Sequence, residues 1–175
     1  MDDKLKYVDE RDKSYGMAGM AISMMMLDGE NYLEAMTLDA PAGDSVEFSH
    51  DFYFIGNPRM SAKIAWNEIL KHFQISSGMV IANMMCRNYV QHRHKLPADI
   101  IESLRAFVRD EAEEDCQLER DEADAIFEKN YNYFDRLFTY SQVHQAAHDL
   151  AASLVRQRRM SALEIIEQLR VLSML

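Results

Sequence analysis

The sequence has few of the residues that interrupt helices. Its 175 residues include only three prolines and six glycines, and all nine precede residue 100. Because proline and glycine are the strongest local breakers of regular structure, a chain so poor in them is expected to be mainly helical. No segment repeats at the periods of solenoid proteins, which argues against a repeat array.

Cysteines and long apolar segments are also scarce. Cys86 and Cys116 lie far apart, outside any CxxC or Cys/His pattern, so reduced thiols in a cytoplasmic protein are expected. The longest apolar segment, 17–27, has eleven residues, whereas a membrane-spanning helix needs about 20. The first residues, MDDKLKYVDERD, show no signal-peptide pattern. The sequence therefore predicts a cytoplasmic protein without a membrane partner.

Positive charge is the third shortage. The chain has 19 lysines and arginines against 29 acidic residues, a net charge of −10. Since phosphate binding depends on clustered bases, nucleic acid is not an expected partner. The one basic cluster, Arg156, Arg158 and Arg159, follows a predicted helix. We interpret this cluster as capping, because cations favour the C-terminal end of a helix dipole.

Hydrophobic periodicity predicts a single domain over 1–175, a bundle of six or seven helices. The predicted helices cover 9–27, 57–73, 77–93, 97–116 and 120–138, followed by a helix that a cap at Thr139 or Ser141 opens and that ends near residue 157, and by a last helix that the capping box Ser161–Glu164 opens. Segment 77–93 is apolar nearly all round, so it is expected to be the central helix. The short connections between segments favour antiparallel neighbours.

Residues 31–56 have the pattern of strands instead. Val46, Phe48, Phe52 and Phe54 keep a period of two, and the turn sequence APAGD precedes them. This pattern predicts a small β-hairpin near residues 31–56. An isolated hairpin is unstable in water, so we expect it to pack on helices.

The sequence VHQAAHD, residues 143–149, contains the first candidate site. His144 and His148 are four residues apart, so in a helix they share a face one turn apart, as metal ligands often do. They lie at the edge of the apolar stripe of their predicted helix. An imidazole in that position also packs its ring and hydrogen-bonds outward without any metal, and both interpretations stay open.

Glu111 and Asp115 repeat this spacing on the inner face of predicted helix 97–116. Buried carboxylates are costly unless they are paired, hydrogen-bonded or metal-bound. With His144 and His148 they would make a four-ligand site for a divalent transition metal such as zinc, iron or manganese. The same carboxylates belong to an acidic segment, 111–124, and a solvated corner between two helices explains them equally well.

Another pair with this spacing, Glu68 and His72, falls opposite the apolar face that contains Trp66 and Phe73. We therefore expect Glu68 and His72 to form an exposed pair on the helix surface.

Known catalytic motifs are missing: the chain has no G-x-S-x-G, P-loop, dinucleotide fingerprint or His-Glu-x-x-His sequence. The leading hypothesis is a non-catalytic interaction module without a cofactor, whose partner is another protein or a second copy of itself. Strong acidity, 13 methionines and the apolar end VLSML favour it. The alternative is a metal-dependent protein, possibly a hydrolase, in which His144, His148, Glu111 and Asp115 hold the metal and bound water attacks.

Overall fold

The computed structural model describes residues 3–53 and 61–174 and confirms the predicted mainly helical fold. Seven α-helices lie in these residues: α1 Glu10–Met26, α2 His50–Tyr53, α3 Ala62–Met85, α4 Ala98–Cys116, α5 Arg120–Leu137, α6 Ser141–Gln157 and α7 Ala162–Leu169. A 3-10 turn, Arg170–Met174, follows α7. None of the described helices is long and apolar enough to span a membrane.

A small antiparallel sheet contains the predicted hairpin. Strands β1 (Leu33–Thr37) and β2 (Val46–Phe48) pair with Met36 opposite Val46, and β3 (Arg159–Ser161) adds to the other edge of β1. The period-two pattern is wrong beyond β2, because Phe52 lies in the helix α2. Phe54 and the rest of the predicted hairpin, to residue 56, lie outside the described residues. The sequence did not predict β3, which is only three residues long.

The two predicted helices 57–73 and 77–93 form one helix. Helix α3 has 24 residues and continues as a π-helix, Cys86–Gln91. No proline interrupts it, and Gly78 is a packing residue, since a Cβ there would lie 2.5 Å from Leu27 and 2.9 Å from Ser23. Ser61 caps the described start by accepting a hydrogen bond from the Ile64 amide. The predicted start at residue 57 lies outside the described residues.

Helices α1, α3 and α6 form the centre of the core. In α1, Met17, Ala18 and Met24 are fully buried, and α1 packs on both α3 and α6. A Cβ on Gly19 would lie 2.2 Å from the backbone oxygen of Ala82. Glycine at this position therefore allows the backbones of α1 and α3 to approach closely, and the buried methionines of both helices fill the core around this contact.

The predicted faces of early α3 are partly wrong. His72, predicted to be exposed, is 8 % exposed, and Trp66, predicted to be buried, is 42 % exposed. The His72 ring stacks on Phe52 with centroids 5.0 Å apart and meets Tyr32 edge-on at 4.8 Å. Residues of α2 and of the turn before β1 thus cover the face of α3 that the helical pattern assigned to solvent.

The basic cluster at the end of α6 has two environments. Arg156 lies in the last turn of α6, where a cation favours the helix dipole as predicted, whereas Arg158 and Arg159 bind other elements. Arg158 pairs with Glu10 and Asp39, and Arg159 pairs with Glu47 at 2.6 Å. These arginines join α1, β2 and the connection after β1 to the chain beyond α6. The pairs are solvent-exposed, so each one stabilises the fold by only about 0–1 kcal/mol.

Candidate functional site

The two histidines of α6 use internal hydrogen-bond partners. The Nε2 atom of His144 is 2.7 Å from the carbonyl oxygen of Phe138, so it donates there. The Nδ1 atom of His148 is 2.6 Å from the Tyr15 hydroxyl, and the two rings meet at right angles. Burial, with smaller contributions from the charges of His144 and Arg93, lowers the pKa of His148. A neutral His148 ring accepts a hydrogen bond from the Tyr15 hydroxyl at Nδ1.

The carboxylate pair of α4 faces a different part of the molecule. Glu111 is half-buried and Asp115 is exposed, and both border a cavity of about 110 Å³ between α3 and α4. Burial raises the pKa of Glu111, and the negative charge of Asp115 raises it further. The inner-face prediction is therefore confirmed for Glu111 but wrong for Asp115, which lies at the last turn of the helix.

The structure does not bring the predicted four ligands together. Helix α4 packs mainly on α5 and α3, whereas α6 packs mainly on α1. Across residues 3–53 and 61–174, no three His, Cys, Asp or Glu side chains are close enough to hold one metal ion. The two members of each i, i+4 pair lie on one face of their own helix. His144 and His148 do not converge with Glu111 and Asp115 as predicted.

The N-terminal segment, α1, α3 and the β1–β2 connection enclose an apolar cavity of about 360 Å³. We call it the N-terminal cavity. Its walls are Leu5, Lys6, Tyr7, Met20, Ala42, Gly43, Val80, Asn83 and Met84. Such a volume and a mainly apolar wall with a few polar groups are typical of small-molecule sites, which measure about 300–1,000 Å³.

One polar pair lies in the wall of the N-terminal cavity. The Asn83 side-chain amide donates to the Tyr7 hydroxyl at 2.7 Å, and that hydroxyl donates to the Met20 sulfur at 4.0 Å. A thioether is a weak acceptor, so an oxygen atom of a ligand would replace the Met20 sulfur as the acceptor of the hydrogen bond from the Tyr7 hydroxyl. Burial raises the pKa of Tyr7, which keeps this hydroxyl a neutral donor. Gly16 makes room for the pair, because a Cβ there would lie 2.7 Å from both side chains.

A buried ion pair holds the N-terminal segment over the cavity. Arg87, 5 % exposed, donates to both carboxylate oxygens of Asp12, 3 % exposed, at 2.8 and 2.5 Å. The same guanidinium donates to the backbone carbonyls of Leu5 and Lys6, at 3.0 and 2.7 Å. It also lies over the Tyr7 ring, 5.0 Å from the centroid. One side chain thus positions three consecutive wall residues.

Sequence reasoning missed the N-terminal cavity, although one residue pointed to it. Arg87 lies within segment 77–93, which is apolar nearly all round. An arginine on such a helix is rarely buried without an acidic partner. That pattern predicts a buried ion pair somewhere in the fold, but it does not say that the partner is Asp12.

Comparisons with protein-family models, curated proteins and solved structures find no significant match to this chain.

Proposed function

We propose that this chain is a non-catalytic binding protein that holds a small apolar molecule in the N-terminal cavity. The observation that carries the proposal is the Tyr7 hydroxyl, a neutral donor in the wall of an apolar space of about 360 Å³ whose acceptor, within the described part of the chain, is a thioether. The cysteines are consistent with a non-catalytic role. Cys86 and Cys116 are both buried, and burial raises the pKa of each thiol, which makes both poor nucleophiles at neutral pH.

The walls indicate the chemistry of the ligand. Leu5, Met20 and Met84 present flexible apolar surface that adapts to an alkyl chain. Lys6 also borders the cavity, and its ammonium pairs with exposed Asp3 at 2.6 Å. A carboxylate end would accept a hydrogen bond from the Tyr7 hydroxyl and compete with Asp3 for the Lys6 ammonium. A medium-chain fatty acid has this combination of one acidic end and an apolar body.

Titration of the full-length protein with decanoate, followed by calorimetry, tests the proposal. We expect saturable binding with one site per chain. Tyr7→Phe removes one hydrogen bond, worth about 0.5–1.5 kcal/mol, and should weaken binding about 2- to 13-fold. Tyr140→Phe is the matched control, because Tyr140 is exposed and does not border the cavity. Its affinity should equal that of the unmodified protein.

Two results would contradict the proposal. One is the absence of saturable binding by the unmodified protein with any fatty acid from hexanoate to hexadecanoate. The other is an affinity of Tyr7→Phe equal to that of Tyr140→Phe, with circular dichroism showing both variants folded. The second result would mean that the hydroxyl does not contact the ligand.

The metal-dependent hypothesis gains no support from the described residues, because its four ligands do not converge there. Elemental analysis of protein purified without chelator, beside a His144→Ala/His148→Ala variant, tests it directly. Association with a protein partner or a second copy stays part of the proposed interaction role.

A further inference from the structure

Val80 borders two cavities. One is the N-terminal cavity of about 360 Å³, and the other is the smaller cavity of about 110 Å³ between α3 and α4. The smaller one is lined by Phe73, Ser76, Ser77, Val80, Phe107, Val108, Glu111 and Asp115. Among the residues that the structure describes, Val80 alone lies in both walls. We call the smaller space the α3–α4 cavity.

The two cavities follow each other along one face of α3. Phe73, Ser77, Val80 and Met84 are three or four residues apart, so their side chains form one stripe of the helix. Ser77 borders the α3–α4 cavity, Met84 borders the N-terminal cavity, and Val80 lies between them. From Ser77 to Met84 the helix rises about 10 Å, so the two spaces are neighbours rather than distant sites.

The wall beyond Val80 has an apolar part that suits an alkyl chain, beside the polar side chains of Ser76, Ser77, Glu111 and Asp115. Phe73 and Val108 are buried, and Phe107 packs on the core beside them. Val80 itself is half-buried and packs against the core, and its side chain with two methyl groups borders both cavities. Removal of these two methyl groups leaves a space between the cavities that the backbone of α3 does not fill.

We propose that Val80 determines the length of the ligand by closing the inner end of the N-terminal cavity against the α3–α4 cavity. This inference rests on the proposed function. The ligand is a linear acyl chain whose carboxylate lies at Tyr7 and Lys6 and whose methyl end lies against Val80. A smaller residue at position 80 joins the two spaces and admits a longer chain, whereas a larger residue shortens the chain that fits.

The test is a chain-length series from hexanoate to hexadecanoate, titrated against the full-length protein and four variants. Val80→Ala should move the tightest-bound length upward by at least two carbons, with about fourfold tighter binding for each additional buried methylene. Val80→Ile and Val80→Phe should move it downward and weaken long chains most. Val143→Ala is the control, because Val143 is fully buried in α6 and borders neither cavity. It should leave the preferred length unchanged.

The outcomes separate this inference from the function on which it rests. If the unmodified protein binds no chain, the proposed function fails. If it binds and all Val80 variants keep its preferred length, the role of Val80 is overturned while the proposed function stands. An equal shift in Val143→Ala would show general loosening of the core and would also overturn the role of Val80. Val80→Ile changes a single methyl group, so it keeps the test valid if Val80→Ala or Val80→Phe does not fold.

Discussion

Arg87 shows how a single buried side chain organises a site. Its removal from water costs several kcal/mol, and the pair with Asp12 offsets this cost only because the geometry is bidentate. The remaining guanidinium donors bind the carbonyls of Leu5 and Lys6. Such a pair adds little net stability. Its effect is positional, since it places residues 5–7 over the N-terminal cavity.

Glu111 gives a prediction about pH. The pKa of its carboxyl lies above the ordinary value of 4.5 because of burial and then the charge of Asp115. Between the ordinary pKa and the raised one, the folded state holds more protons than the unfolded state, so stability falls as pH rises through this window. Glu111→Gln removes the ionised group and should raise the free energy of unfolding at pH 7 by about 0.2–0.5 kcal/mol, the usual cost of a like-charge i, i+4 pair.

Urea denaturation at several pH values measures this effect. The advantage of Glu111→Gln should disappear below about pH 3.5, where glutamate is protonated in both states. Glu113→Gln is the control, because Glu113 is exposed and belongs to the same acidic segment. If both variants stabilise the protein equally at pH 7, the effect comes from net charge and not from burial at position 111.

Single side chains could be predicted from the sequence only where their own helix decides their environment. The helical pattern correctly placed Glu111 toward the inside and His144 and His148 at a boundary. It could not supply the partner of His148, since Tyr15 is 133 residues away in the chain. It misplaced His72 because the aromatic residues that cover this side chain come from α2 and the turn before β1.

At the scale of elements, α1 and α3 approach each other closely because α1 has a glycine at the contact. Gly16 and Gly19 weaken α1 as an isolated helix by about 1 kcal/mol each relative to alanine. Their lack of a side chain allows two helix backbones to meet where Ala82 carbonyl oxygen faces Gly19. Tertiary packing therefore compensates for a poor local helix propensity.

Gly19→Ala tests this packing. The added Cβ would lie 2.2 Å from the Ala82 oxygen, a backbone atom that cannot rotate away. The helices must separate, so we expect a loss of about 1–3 kcal/mol in the free energy of unfolding, despite alanine's better helix propensity. Gly43→Ala is the matched control, since no atom lies within 4 Å of its Cβ position. Urea denaturation of both variants should show a loss only for Gly19→Ala.

The elements themselves were largely predictable. Helices α1, α4, α5, α6 and α7 agree with the pattern within one or two residues because their apolar periodicity and caps agree. The predicted break between residues 73 and 77 was wrong, because α3 continues through it with Ile75 buried in the core and Gly78 packed against Leu27 and Ser23. Strand β3 was not predictable, because three residues carry no period and the strand depends on β1.

At the scale of the whole molecule, both described ends of the chain are held by the core. Arg87 fixes residues 5 and 6, and Leu172 in the last turn is 1 % exposed. The N-terminal cavity combines four parts of the chain, from residues 5–7, α1, residues 42–43 and α3. No local pattern contains such a cavity, because it arises from the packing of segments up to 79 residues apart, Leu5 to Met84.

The predicted self-association depends on the apolar residues that the fold leaves exposed. Leu163 in α7 is 80 % exposed, and Val155 in α6 and Val171 in the last turn are also exposed. These three elements pack on one another, so their exposed residues lie in the same region of the molecule. A net charge of −10 opposes contact between two copies, and salt screens this repulsion. We therefore expect any dimer to form more readily at high salt.

Light scattering over a range of protein concentrations, at low and high salt, measures the association. In a symmetric dimer each substitution acts twice, and a buried leucine contributes about 1.5–3 kcal/mol. Leu163→Asp should therefore weaken the dimer at least about tenfold. Val8→Asp is the control, because Val8 is equally exposed but belongs to the segment before α1. A monomer at every concentration and salt would contradict self-association, and equal dimers in both variants would place the contact away from α7.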